Sequence, residues 1–573
     1  MSTHQKIDRD SGNAITNALS FFETPHTNVS ISNSSFIELL TLNPVNITPF
    51  HFKIHATTNY IDLAKTYVFT ELRIKKEDKD GKLVDIGRED NVAAVQLIGH
   101  TIWKNCRMHI NGTQVFEGNS LMAYKSIFDY ELTYPQSAKN SYLSVAGYYD
   151  DGATQTYPGV DSNGYGIKSR KRLFLDEEGN PRTAQFMAKL DVDICNQPRY
   201  LVNQCEVDIE LLPNESSFLL SAPWDTAPKY HLEILACKLY VKKIELMDSL
   251  AFDIAKKLEI KPARYPIRKT SLKSLFISEN RTEFNANLWM DQVPRRIILG
   301  MVDNKDFVGR QKTTPFYFQH FNLRDISITA GGVTFPAAPY SLDFPKGNYA
   351  RIYHDMQEAI GYAGSLESNG ISMFRYAYAG YCFFVFNLTN SQEDNGPEMF
   401  DLIKNGTTSI RMTFNEPVPS GGIVLVAMGE IDSLLMLDRN RTISTDISIF
   451  PLPLGGVTFP AAPYSLDFPK GNYARIYHDM QEAIGYAGSL ESNGISMFRY
   501  AYAGYCFFVF NLTNSQEDNG PEMFDLIKNG TTSIRMTFNE PVPSGGIVLV
   551  AMGEIDSLLM LDRNRTISTD ISV

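Results

Sequence analysis

The sequence predicts a mainly β protein: a tandem pair of antiparallel β-sandwiches with a few short helices, followed by a duplicated part of the second sandwich. Three observations carry this. Apolar and charged residues alternate with period two in many short segments, helical stripes are few, and residues 331–448 recur letter for letter at 455–572. Alternation puts every second side chain on one face, as a half-buried antiparallel strand requires. Each residue of the first copy reappears 124 positions later, and only Ile449-Phe450-Pro451-Leu452-Pro453-Leu454 separates the copies. Identity this complete marks a very recent tandem duplication or a gene-model error, whereas solenoids and propellers repeat shorter units imperfectly.

In chain order, residues 1–30 are polar and weakly patterned and read as a flexible arm. Strands are expected at Thr66–Lys75, Ala188–Ile194, Glu206–Leu211 and Leu232–Leu246 in a first set. Arg296–Val302, Phe316–Ile328, Tyr381–Leu388, Ser409–Phe414 and Ile423–Met428 form a second. The Ile423–Met428 run does not alternate and should be covered on both faces. Cys106-Arg107-Met108-His109-Ile110 leads through Asn111-Gly112 into Thr113-Gln114-Val115-Phe116. That is a hairpin, because Asn-Gly tolerates the positive φ angles of a type I′ turn.

Helical spacing occurs at Leu121, Tyr124, Phe128 and Leu132, at Leu250, Ile254 and Leu258 after a possible Asp248 cap, and at Tyr349, Ile352, Met356 and Ile360. Each stripe is expected to pack on a sheet. The connection of about 133–185 is too long for an ordinary loop and reads as a functional or mobile one. Many strands, few helices and one long loop point to sandwiches of jelly-roll type. The expected division is 1–30 arm, 31–247 first jelly roll, 248–266 linker helix and Pro-containing connection, 267–448 second jelly roll, 449–454 linker, and 455–573 an incomplete repeat.

The chain has 573 residues and a formal net charge of −12, with 29 Tyr and 35 Phe. Each copy carries seven Lys/Arg and thirteen Asp/Glu, so half of the acidity belongs to the extra copy. Mild acidity argues against a surface that is wholly a nucleic-acid footprint. Cys106, Cys195, Cys205, Cys237, Cys382 and Cys506 are scattered without a Cys-x-x-Cys, so buried free thiols are expected rather than a disulfide framework or zinc ribbon. The polar start Met1-Ser2-Thr3-His4-Gln5-Lys6 is unlike a signal peptide, and the longest apolar run, Tyr376 to Phe386, is too short to span a bilayer. The chain is therefore expected not to be secreted and to have no membrane span.

No catalytic, cofactor-binding or metal site is assigned, and no cofactor. Gly159 and Gly164 have P-loop spacing, but Tyr165 stands where the phosphate-binding Lys belongs and Lys168-Ser169 follow too late. His51 and His55 share a strand face and could combine with His100 or His109 in a cupin-like metal enzyme, but histidines in strands are usually structural. No nucleophile elbow occurs. The basic run Lys256-Lys257, Lys261, Arg264, Arg268-Lys269, Lys273 could face packaged DNA non-specifically. A solvated or salt-bridged linker is the plainer reading. Lys168-Ser169-Arg170-Lys171-Arg172 could act in nuclear import, a charged loop tip being the plainer reading.

Several blocks resemble, in one order, the major capsid protein of Polinton (Maverick) elements and adintovirus-like DNA viruses. They are Tyr124-Lys125-Ser126-Ile127-Phe128 leading to Gly147-Tyr148-Tyr149-Asp150-Asp151, then Gln197-Pro198-Arg199-Tyr200-Leu201-Val202-Asn203 and Ala263-Arg264-Tyr265-Pro266-Ile267-Arg268. The most specific is Val293-Pro294-Arg295-Arg296-Ile297-Ile298-Leu299-Gly300-Met301-Val302-Asp303-Asn304, with Pro315–Leu323 and Asp438-Arg439-Asn440-Arg441 after it. The resemblance covers about 30–448. It implies a double jelly roll, a homotrimeric pseudo-hexagonal capsomer with neighbouring capsomers as partners, and a separate penton or minor capsid protein. It also implies location in the virion, synthesis in the host cytoplasm with assembly possible in the nucleus, and no catalytic residues. The competing reading is a jelly-roll glycan-binding attachment module.

The second copy departs from that family. It begins after the counterparts of Arg296–Val302 and Phe316–Ile328, so it cannot close a sandwich by itself. Using it in place of the first copy closes a loop of about 124 residues, costing on the order of 4 kcal/mol by (3/2)RT ln n. The first copy is therefore expected to fill the second jelly roll, with the second copy peripheral or poorly ordered.

Overall fold

The computed structural model describes residue 10 and residues 30–446 apart from 152–163, 177, 223–228, 393–399, 401 and 403, with scattered positions between 476 and 570. The chain divides into a unit of residues 1–445 and a unit of residues 446–573. Most of the expected arm at 1–30 and most of the expected repeat lie outside the described residues.

Sixteen strands of the first unit build its two sandwiches, and short strands such as Leu83–Asp85 and Ile443–Asp446 pair with them. β1 (Ile31–Leu40), β2 (Phe50–Ile54), β3 (Tyr60–Glu77), β4 (Trp103–Ile110), β5 (Thr113–Glu117), β6 (Ala184–Lys189), β7 (Val207–Pro213) and β8 (Tyr230–Leu246) make the first sandwich. One sheet runs β1-β8-β3-β6 and its partner β2-β7-β4-β5. The second sandwich contains β9 (Ala263–Ile277), β10 (Glu283–Trp289), β11 (Arg296–Asp303), β12 (Leu323–Ala330), β13 (Val333–Phe335), β14 (Phe383–Asn387), β15 (Thr408–Phe414) and β16 (Ile423–Leu437). Its sheets run β9-β16-β11-β14 and β10-β15-β12-β13. Counted from each sandwich's own start, both follow first-eighth-third-sixth and second-seventh-fourth-fifth. The two halves are therefore the same antiparallel jelly-roll topology written twice in unlike sequence.

Alternation explains the cores. Phe50, Phe52 and Ile54 of β2 point inward with Val207, Ile209 and Leu211 of β7, while His51 and Lys53 alternate outward. β16 is buried on both faces from Ile423 to Glu430, as its unbroken apolar run suggests. Asn111 and Gly112 turn the β4–β5 hairpin with φ of 49° and 78°.

Some elements differ from expectation. The alternating stretch Ala188–Ile194 leaves its strand at Lys189, and Asp193–Asn196 form a 3-10 turn. Asp191 and Asp193 are only 5% exposed, because they face a buried lysine rather than water. Strand β12 begins at Leu323, not Phe316, because Phe316 and Phe318 are drawn into an aromatic cluster. The 133–185 connection is no plain loop. It folds as Gln136–Lys139, Tyr142–Ala146 and the helix α2 (Tyr165–Arg172), and it buries Lys139, Leu143, Tyr148 and Arg170. Of the cysteines, five are buried and free, but Cys506 is exposed.

Helix α1 (Met122–Thr133) precedes that connection, and α3 (Asp248–Leu258) links the sandwiches with Asp248 as its first residue rather than its cap. Helices α4 (Ala350–Ala359) and α5 (Met373–Tyr378) belong to the first copy. No helix among the described residues is long and apolar enough to cross a membrane. Gly112→Ala is expected to destabilise the first sandwich by about 1 kcal/mol, since a Cβ is disfavoured at positive φ. A lowered denaturant midpoint with an unchanged slope would show it.

Candidate functional site

The most elaborate chemistry in the first unit is structural and lies along the seam between the two sandwiches. Helix α1 is buried on nearly every side, with Tyr124, Lys125, Ile127, Phe128, Glu131 and Leu132 all enclosed. A helix apolar on one stripe packs on one sheet; a helix buried all round lies between two bodies. Tyr124 stacks on Phe307 at 5.4 Å between ring centres and meets Phe316 edge-on at 5.6 Å. Phe128 lies 5.4 Å from Phe318 and 5.7 Å from Phe383 of β14. Burial of a side chain such as Phe128 contributes about 1.5–3 kcal/mol. Gly300 of β11 allows this approach: a Cβ there would stand 2.5 Å from Phe318 and 3.2 Å from Phe128.

Charges are buried along the same seam. Lys125, with a side chain 1% exposed, donates at 2.7 Å to both Asp129 and Asp191, and lies 3.9 Å from Asp193. Asp193 in turn accepts from the Thr270 backbone N–H at 2.7 Å and from its hydroxyl at 2.8 Å, and Thr270 belongs to β9. Burial disfavours the Asp191 carboxylate, but the Lys125 ammonium more than offsets this and holds it below its usual range. Burial wins at Asp193 and Asp129, which are raised. His100, against the Tyr130 ring at 4.2 Å, is pushed down to about 4 by burial.

A second cluster ties the 133–151 segment to the first copy. Lys139 Nζ donates to the Glu131 carboxylate at 2.9 Å and to the Asn369 carbonyl at 3.0 Å. Gln136 N–H reaches Ser368 O at 2.7 Å. Ser372 caps α5 through the Arg375 N–H, which helps place Arg375. The Arg375 guanidinium grips Asp150 with two bonds of 2.7 and 3.2 Å and lies 4.4 Å from the Tyr381 ring centre. Farther along, Arg441 donates to Asn203 O at 2.7 Å and to its side chain at 2.8 Å. A cavity of about 50 Å3 among Gln96, Glu131, Asp151, Arg170, Phe318 and Tyr381 has room for a few waters only.

The sequence candidates scatter. His100 is in the seam and His55 is exposed. His51 and His109 line an open groove of about 410 Å3 with Asp208 and Glu210. That groove is a cross-strand charge ladder: Glu210 is opposite both His51 and Arg107, and Asp208 is opposite Lys53 and His109. Among the described residues, the His/Cys/carboxylate set close enough to share a cation is His354, Asp355 and Glu358 on the solvent side of α4. Of the P-loop-like stretch, Gly164 and Tyr165 open α2 and Gly159 lies outside the described residues. Arg170 of the basic pentapeptide is buried against Asp151 at 3.1 Å. In the other basic run, Lys256, Lys257, Lys261 and Arg264 are exposed, whereas Arg268 faces Asp432 and Lys273 bonds the Leu288 carbonyl.

The architecture is that of a double jelly roll. No family model matches the chain. Among solved structures, a chain of the Sputnik virophage determined by cryo-electron microscopy matches 82% of this chain and all of its own length at 11% identity, with a TM-score of 0.50. The mavirus major capsid protein matches 81% of this chain and all of its own at 12% identity and 0.47. In sequence, the uncharacterized protein F54H12.2 of Caenorhabditis elegans is 30% identical over 429 residues, which are 73% of this chain and 98% of the relative. The chain belongs to the family of that nematode protein.

Lys125→Met is expected to cost about 3–5 kcal/mol, because it leaves buried carboxylates without their cation; chemical denaturation measures it. His100 adds a pH dependence. Its folded-state value lies below that of the unfolded chain, so the unfolded state binds the extra proton first. The resulting penalty is absent above about pH 6.5 and grows as pH falls toward 4, reaching about 3 kcal/mol. His100→Gln should flatten the acid limb of the stability profile by that amount relative to the parent. An unchanged profile would refute the burial of a neutral ring.

Proposed function

We propose that this chain is a structural, non-catalytic major capsid protein of a Polinton-like or adintovirus-like DNA element. Three copies form a pseudo-hexagonal capsomer, and capsomers tile an icosahedral shell. The observation that carries this is the seam: two jelly rolls of one strand order are locked side by side by α1, Lys125 and Arg375. Three molecules, each a fixed pair of similar lobes, present six lobes to their surroundings, which suits hexagonal packing. The ordered blocks from Tyr124 to Arg441 that resemble the Polinton and adintovirus capsid family support the lineage. Lys125 and Asp150 belong to the first block, Arg441 to the last, and Gly300 sits in the most specific of them. The partners proposed are its own copies, a separate penton or minor capsid protein, and packaged DNA, met without sequence preference by exposed Lys256, Lys257, Lys261 and Arg264. The place of action is the virion, after synthesis in the host cytoplasm and assembly in cytoplasm or nucleus.

Light scattering of the purified full chain should give three times its 64.5 kDa mass. Negative-stain microscopy should show three-fold particles with a hexagonal outline. A stable monomer across concentrations, or a monomer that binds glycan arrays without forming particles, would overturn the capsid reading in favour of an attachment module.

A further inference from the structure

The second sandwich shows what the strands of the first copy pair with. Along the main strand order of both of its sheets, strands from before the duplication alternate with strands inside it. In β9-β16-β11-β14 and in β10-β15-β12-β13, no strand of residues 331–437 lies beside another of that range. β13, β14, β15 and β16 therefore take their ladder partners in these orders from residues 263–330, while the short strand Ile443–Asp446 pairs with β16 of its own copy and Phe383 also meets Phe128 of α1. The two copies report the consequence. Phe383, Ile410 and Leu425, one from each of β14, β15 and β16, are 1%, 1% and 0% exposed, whereas their identical counterparts Phe507, Ile534 and Leu549 are 54%, 58% and 54% exposed. The helical positions do not differ in this way. Ile352, Met356 and Tyr376 are buried, and so are Ile476, Met480 and Tyr500. In the second copy those helical positions are thus buried, while strand residues enclosed in the first copy are exposed.

We propose that residues 263–330 are a binding site for either copy, and that the second copy is a competent replacement that exchanges into the second sandwich within its own chain. Identical sequence means identical contacts, so only chain connectivity separates the two states. With the second copy seated, residues 331–454 become a closed loop. By the (3/2) ln n law the seated second copy is then populated in about one molecule in a thousand. Anything that disables the first copy by more than that factor should hand the site to the second.

The test uses the full chain and two probes already in it. Cys382, beside β14, is buried, while its counterpart Cys506 is exposed. Ile410→Asp with Leu425→Asp puts two unpaired carboxylates into the core if the first copy stays in place, a penalty larger than the thousandfold bias. Peptides around the two cysteines are identical, so each measurement is made with Cys382→Ser or Cys506→Ser in the background. In the parent, Cys506 should react with a thiol reagent rapidly and Cys382 should be protected. In the I410D/L425D chain the protection should change places, with Cys506 slowed by at least about 100-fold and the denaturation midpoint lowered only by the roughly thousandfold closure bias, the second sandwich staying folded where the fourfold variant loses it. The mirror variant I534D/L549D should behave as the parent, and the variant carrying all four aspartates should lose the second sandwich. If I410D/L425D is as unfolded as the fourfold variant while Cys506 stays reactive, the exchange does not occur. Protection of Cys506 that disappears on dilution would also overturn it, since that is exchange between molecules. These readouts concern one chain's folding and stand or fall apart from shell formation.

Discussion

A lysine sealed from water is the constraint around which the first unit is arranged. Lys125 is tolerable at its depth only because Asp129 and Asp191 bond it and Asp193 stands close by. Asp193 is itself satisfied by Thr270 across the seam. Satisfying the charge and docking the second sandwich are therefore one event. Buried ion pairs add little net stability against a well-packed apolar alternative, but a misaligned one is strongly unfavourable. The cluster accordingly acts less as glue than as a register mark, while the Tyr124 and Phe128 aromatics provide the adhesive area. Lys139 and Arg375 repeat the device on the side where the first copy meets the 133–151 segment.

Equal strand order in two halves of unlike sequence shows how much a sandwich depends on pattern and how little on particular residues. Inward positions need volume and apolarity, and many residues meet that need. The seam is less permissive. Gly300 has a Phe318 ring where a methyl would go, and Arg375 must meet Asp150 in a planar, two-bonded fork.

What could be read in the sequence follows from this division. Period-two alternation marked β3, β7, β8 and β15, an unbroken apolar run marked β16, and the Asn111-Gly112 dipeptide marked its hairpin, since those signals are local. The β-sandwich class was legible for the same reason. The seam was not. Asp191 and Asp193 looked like the wet face of a strand, and nothing near them in sequence announces a lysine some 66 positions away. Tyr124 and Phe128 gave a helical stripe, but a stripe cannot say that the remaining faces of the helix are covered too. The 133–185 segment looked like a loop because its polar residues are satisfied by remote partners such as Ser368 and Asn369. The charged residues that join the two halves carry no local pattern, because their reason lies in the other half.

The interleaving of early and late strands also sets an order in time. A ribosome releases residues 263–330 before any strand that can complete them, so this half must wait, uncovered, for the first copy. At about 5–20 residues per second, the first copy precedes the second by roughly 6–25 s, long compared with the microseconds of hairpin formation. The earlier arrival therefore seats itself before its rival has been made. Synthesis thus selects kinetically the same arrangement that connectivity favours at equilibrium, and a nascent chain does not have to choose between two equal answers.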